Sequence, residues 1–174
     1  MRNNRTLILL LLIALTMRVA AQQIRIPSTR VTVDLPAGEW NYLKTLNLDK
    51  NITVYLYIYT DSVVIDASGD TILPFLRIYV QRNYRGSAYD LAYDRFLKQP
   101  FQSMNEYTDG LPVGGIGYVG AYRSNDDSKE YQFRMIYLKD KENGIEIRME
   151  TTGDTYARFD KMFNDILQTV DIKK

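Results

Sequence analysis

Between Ile52 and Thr60 the chain reads Ile-Thr-Val-Tyr-Leu-Tyr-Ile-Tyr-Thr, an unbroken alternation. Successive side chains of a strand take opposite faces, so Val54, Leu56 and Ile58 share one side and Tyr55, Tyr57 and Tyr59 the other. Every residue here except Leu56 is β-branched or aromatic, which suits a pleated surface. Neither face carries a charge, and a strand of that kind belongs near the middle of a sheet covered on both sides. The rest of the chain must supply its neighbours and its cover.

Further alternation predicts those neighbours. Arg30 to Leu35 places Val31, Val33 and Leu35 on one face, and Phe75 to Gln81 does the same with Leu76, Ile78 and Val80. A strand is expected from Ile116 to Tyr122. Tyr131 to Leu138 shows Tyr131, Phe133, Met135 and Tyr137 on one side. In the last strand Ile145, Ile147 and Met149 alternate with Glu146, Arg148 and Glu150. Ser124 to Glu130 reads as an exposed hairpin loop, and Lys139 to Gly144 as a second turn ending in the favoured Asn143-Gly144 pair. Phe101 to Gly110 shows no strand alternation and is expected to be irregular, with some polar helical tendency.

Two helices are predicted. Ser87 caps one that runs to about Lys98, with Ala88, Leu91, Ala92 and Phe96 as its apolar stripe and Pro100 as its stop. The longer one runs from about Thr155 to Val170. Its Tyr156, Phe159, Phe163, Ile166 and Val170 recur at three- and four-residue steps, and Asp154 is the expected cap. These elements make an α+β domain: a central, mainly antiparallel sheet of about six strands flanked by helices, with the long C-terminal helix packed on one face.

The N-terminus is expected to be a signal peptide over residues 1–21, followed by a single domain over 22–174. Arg2 and Arg5 precede an apolar run from Leu7 to Leu15, and Val19-Ala20-Ala21 offers a small-residue cleavage site. The apolar run is shorter than the roughly 20 residues that span a bilayer, so no membrane span is expected after cleavage. Without Arg2, Arg5 and Arg18 the chain keeps 19 of its 22 basic residues against 21 acidic ones, and no basic excess remains to attract nucleic acid. A secreted or periplasmic bacterial protein is the expectation.

The chain contains no histidine and no cysteine. Nucleophile systems built on those residues, and ordinary zinc or copper sites, are therefore excluded. No cofactor and no metal are expected, although chemistry based on paired carboxylates stays open. Gly115-Ile116-Gly117-Tyr118-Val119-Gly120 matches the spacing of a dinucleotide loop, but it leads into a strand with no βαβ unit around it, so close packing is the simpler reading. All 14 tyrosines lie after residue 21. Tyr55, Tyr57 and Tyr59, with Gly115 and Gly117, are the candidate binding residues; the alternative for the tyrosines is a core layer beneath a helix.

Three features carry a family resemblance. They are Pro36-Ala37-Gly38-Glu39-Trp40 after the first long strand, the paired strands Tyr131 to Lys139 and Ile145 to Thr151, and the closing Ile166-Leu167-Gln168-Thr169-Val170 of the last helix. Together they resemble the PsbP/Mog1-like domain family over most of Val31 to Ile172. The resemblance implies a central antiparallel sheet flanked by helices. It implies a binding or assembly role and transfers no catalytic residue. The expected function is an exported, non-enzymatic binding or accessory protein whose partner is a protein or an envelope glycan. A carboxylate-dependent glycan hydrolase and a carrier for a small apolar ligand are the alternatives.

Overall fold

The computed structural model describes residues 21–99, 101–112 and 114–173. The predicted signal segment, apart from Ala21, and the predicted helix stop at Pro100 lie outside them. Among the described residues, no helix is long and apolar enough to cross a membrane.

The central sheet has seven strands, all antiparallel. In spatial order they are β3 (Trp40–Asn47), β4 (Ile52–Tyr59), β7 (Phe75–Gln81), β11 (Asn143–Thr152), β10 (Glu130–Asp140), β9 (Ile116–Arg123) and β8 (Phe101–Tyr107). A second sheet orders β1 (Ala21–Arg25), β2 (Val31–Pro36) and β12 (Asp171–Ile172), and β5 (Val64–Ile65) pairs with β6 (Thr71–Ile72). The two helices are α1 (Ala88–Phe96) and α2 (Gly153–Gln168).

The seven strands are not the expected six: β2 belongs to the small sheet instead, and the two edges are taken by β3 and β8, which lack clean alternation. On β3 the register slips between Tyr42 and Lys44, and on β8 between Phe101 and Ser103. A bulge inverts which side chains face which way, so the period of two is lost while the hydrogen-bonded ladder continues. The second hairpin also turns two residues before the predicted Asn143-Gly144 pair. Asp140 pairs with Asn143, so Lys141 and Glu142 form the loop and Lys141 takes the left-handed conformation at φ 52°. Asn143 and Gly144 are strand residues. Helix α1 has the predicted Ser87 cap, reinforced by the Asp90 carboxylate accepting from the Ser87 N–H. Helix α2 starts after Thr152 rather than Asp154, and Asp154 lies in its first turn, where it accepts from the Ala67 N–H.

One face of the sheet is closed by α2 and by the small sheet. Phe163 and Phe159 of α2, Val31, Val33 and Leu35 of β2, and Ile78, Ile136 and Ile147 of the large sheet share one buried cluster. The opposite face holds a smaller cluster, in which Leu91 and Ala92 of α1 meet Phe133, Met135 and Tyr137 of β10.

Candidate functional site

The tyrosines of β4 point into the larger core. Tyr59 is buried, with its ring edge-on to Trp40 at 5.6 Å and to Phe159 at 5.2 Å. Tyr55 and Tyr57 are half-buried and pack against the same cluster. Burial raises the pKa of both Tyr57 and Tyr59. Only the outer side of Tyr57 meets an exposed ring, that of Tyr42, at 5.6 Å. Gly115 and Gly117 lie far from these residues, at and just before the start of β9, the sixth strand across. The Tyr107 ring rests on Gly117, where a Cβ would fall 2.5 Å from Tyr107 Cζ. At Gly115 a Cβ would fall 2.9 Å from Leu138 Cδ2. The five predicted residues are therefore not brought together.

Turning the tyrosines inward turns the aliphatic side of β4 outward. Cross-strand register sets Asn41, Ile58 and Phe75 in one row on the opposite face, then Lys44, Leu56 and Arg77, then Leu46, Val54 and Tyr79. None of these belongs to either core cluster. Leu46 is 38% exposed, Leu56, Ile58, Phe75 and Tyr79 are half-buried, and Val54 is buried. Strands β3, β4 and β7 contain no acidic residue; their charged residues are Lys44 and Arg77. Strands of a seven-stranded sheet stand about 4.8 Å apart, while a helix covers about 10 Å. Helix α1 packs on β9, β10 and β11. The strip over β3, β4 and β7 that α1 does not reach is partly open: Val54 is buried at its centre, and the residues around it are half-buried or exposed.

Beside this strip runs a buried chain of alternating charges. Glu146, Arg148 and Glu150, all on one side of β11, are at most 3% exposed. Arg148 Nε donates to Glu146 Oε1 at 2.8 Å, and Arg148 Nη1 lies 3.8 Å from Glu150 Oε2. Arg95 of α1 reaches Glu146 Oε2 at 3.5 Å, and Arg77 reaches Glu150 Oε1 at 2.7 Å. The guanidinium of Arg148 lies 5.1 Å from the Phe101 ring and 5.7 Å from that of Tyr79. Burial works against the charge on Arg148, but Glu146 and Glu150 outweigh it and raise its pKa. Burial, and then Glu146, push Tyr137 far above the ordinary phenol value. The order Arg95, Glu146, Arg148, Glu150, Arg77 thus ties α1 to the sheet and ends at Arg77, on the border of the open strip.

This arrangement bears on chemistry. A pair of carboxylates for glycosidic cleavage has to face across a space that admits substrate. Glu146 and Glu150 do not: Arg148 stands between them, and neither reaches solvent. Among the described residues no group of three or more carboxylates gathers to hold a metal. A groove of about 580 Å³ lies between β2 and α2, with Leu35, Met162 and Ile166 on its floor and Arg158 and Lys161 on its rim. It opens to solvent rather than lying enclosed between the large sheet and α2.

Sequence reasoning missed the open strip because alternation alone does not say which side of a two-faced strand is inward. One signal was present: α1 is a nine-residue helix, too small to cover a face of this width.

The architecture has solved counterparts. The cyanobacterial PsbP protein, CyanoP, of Synechocystis sp. PCC 6803 superposes with a TM-score of 0.57 at 12% identity, covering 91% of this chain and 95% of CyanoP. LpqN of Mycobacterium tuberculosis, described as involved in cell envelope biogenesis, superposes with a TM-score of 0.52 at 15% identity, covering 89% of this chain and 91% of LpqN. The fold is the PsbP/Mog1-like one that the sequence resembles. No protein-family model and no curated protein sequence matches the chain.

Proposed function

We propose that the protein is an exported, non-catalytic accessory protein of the cell envelope that docks an acidic amphipathic helix of a partner protein on the open strip. The single observation that carries this is the partly exposed apolar face of β3, β4 and β7, whose residues belong to neither core cluster. A sheet face of this kind is normally buried against another layer. Its charge points to the occupant. Lys44 flanks Leu56 on one side, Arg77 on the other is already paired with Glu150, and the three strands carry no carboxylate, so a helix with leucines on one side and a glutamate beside Lys44 complements it. The description of LpqN as an envelope-biogenesis protein agrees with the location.

The test places a photo-crosslinking amino acid at position 56 of the full chain in its own cells, with position 161 as a control on the exposed side of α2. An adduct at 56 with an acidic helical segment of another protein, lost on Leu46→Asp, is expected. An adduct with a second copy of the chain, or none above the control, overturns the proposal.

A further inference from the structure

At the upper end of β7, β9 and β10, on the same face as the charge chain, a cleft of about 330 Å³ opens beside the first hairpin loop. We infer that this cleft, walled by Phe75, Tyr122 and Tyr131 and lined by Arg77, Asn125 and Asp127, binds a neutral, hydroxyl-rich sugar ring. Ligand sites start at about this size.

The walls are aromatic and fixed. Tyr122 and Tyr131 are directly opposite one another on β9 and β10, and their rings stack at 5.5 Å with planes 16° apart. The Arg77 guanidinium lies 5.3 Å from the Phe75 ring. Such walls suit the apolar C–H face of a sugar, which needs a flat, dry partner.

The polar groups are oriented before any ligand arrives. Asp127 accepts from the Tyr131 hydroxyl at 2.8 Å and from the Lys129 N–H at 3.0 Å. Burial and Asp127 push Tyr131 up to about 12, so its hydroxyl keeps its proton at neutral pH. Arg77 is held by Glu150, which is fully buried beneath it. The loop is braced by Arg123 Nε donating to Ser128 O at 3.0 Å. A carboxylate accepts from a hydroxyl and a guanidinium donates to one, so both can serve a single polyol.

The charges select against ions. Arg77 and Arg123 stand with Asp126 and Asp127 around the opening. An anion entering toward Arg77 meets the two aspartates, and an amine entering toward Asp127 meets the two arginines. An uncharged ring with hydroxyls on its rim meets neither penalty. The cleft shares Phe75 and Arg77 with one end of the helix-docking strip, so its binding is tested on the protein without a helical partner.

The experiment titrates the purified, folded protein by calorimetry and saturation-transfer NMR. The probes are neutral oligosaccharides (β-1,4-linked N-acetylglucosamine oligomers and an α-1,4-glucan), a diamine and inorganic phosphate. At least one neutral oligosaccharide is expected to saturate the site. Asp127→Ala and Tyr131→Ala should each weaken it about tenfold, while Lys161→Ala, on the exposed side of α2, leaves it unchanged. Asn125→Ala, in the exposed loop, gives a second reading if Tyr131→Ala fails to fold. The inference is overturned if only the charged probes bind, or if no oligosaccharide binds up to about 10 mM. It is also overturned if Asp127→Ala and Asn125→Ala both bind as the parent does.

Discussion

Replacing Arg148 by Met tests the buried charge chain directly. The Arg148 side chain is 4% exposed, and the side chains of its partners Glu146 and Glu150 are fully buried. Removing one partner of a buried ion pair costs about 3–5 kcal/mol, because a charge remains in a medium that cannot solvate it. Here each glutamate keeps a second guanidinium, Arg77 at 2.7 Å from Glu150 and Arg95 at 3.5 Å from Glu146. The loss should therefore lie at the lower end, about 3 kcal/mol. For a domain of this size 1 kcal/mol moves Tm by about 2–4 °C, so Arg148→Met should melt about 6–12 °C lower. Urea unfolding should show a lower midpoint with an unchanged slope. Adding Glu146→Gln and Glu150→Gln should not recover the loss, because Arg95 and Arg77 then lose their carboxylate partners. A drop below about 1 kcal/mol, the value typical of an exposed pair, would refute the reasoning. Lys161→Ala provides the contrast, because it breaks an exposed pair with Asp165 and should leave the melt unchanged.

Three further outcomes are expected. At Gly120 a Cβ would overlap the Ser103 carbonyl oxygen and crowd the Phe133 ring, so Gly120→Ala should displace β8 and lower Tm, whereas Gly38→Ala meets no neighbour and strains only a left-handed turn. Phe163→Ala should cost about 3–5 kcal/mol in urea unfolding, since its fully buried ring touches Trp40, Tyr156 and Phe159. Burial raises the pKa of Asp140, but the Arg30 N–H and guanidinium outweigh it and hold the carboxyl below its ordinary value. That stability is present above about pH 3.9 and is lost as pH falls through the depressed folded value, so Asp140→Asn should flatten the acid limb of a stability–pH curve; an unchanged limb would assign the acid loss to other groups.

Local periodicity reads well wherever one face of an element is uniformly apolar. The stripe Tyr156, Phe159, Phe163, Ile166 and Val170 is buried as its spacing requires. The Ser87 cap, the β9–β10 hairpin and the α+β class follow from residue chemistry in the same way. The turn at Lys141 was hidden because Asn143-Gly144 carries the stronger local preference, yet pairing Gly144 with Lys139 and with Gln81 keeps β11 in register on both sides.

The sequence by itself determined the two helices, the cleanly alternating strands with their two faces, and the absence of histidine and cysteine chemistry, because these depend on residue types and on residues close together in the chain. Tertiary structure alone decided which face went inward. On β4 the tyrosines entered the larger core, while Leu56 and Ile58 stayed half-buried outside both clusters, since α2 and the small sheet together close one side and α1 packs on β9, β10 and β11 on the other. On β11 the charged side, which alternation alone assigns to solvent, was buried. Arg77 and Arg95, from a neighbouring strand and a helix, arrived to pair with Glu150 and Glu146. Burial of a charge depends on partners brought in from distant parts of the chain, and no local pattern contains them.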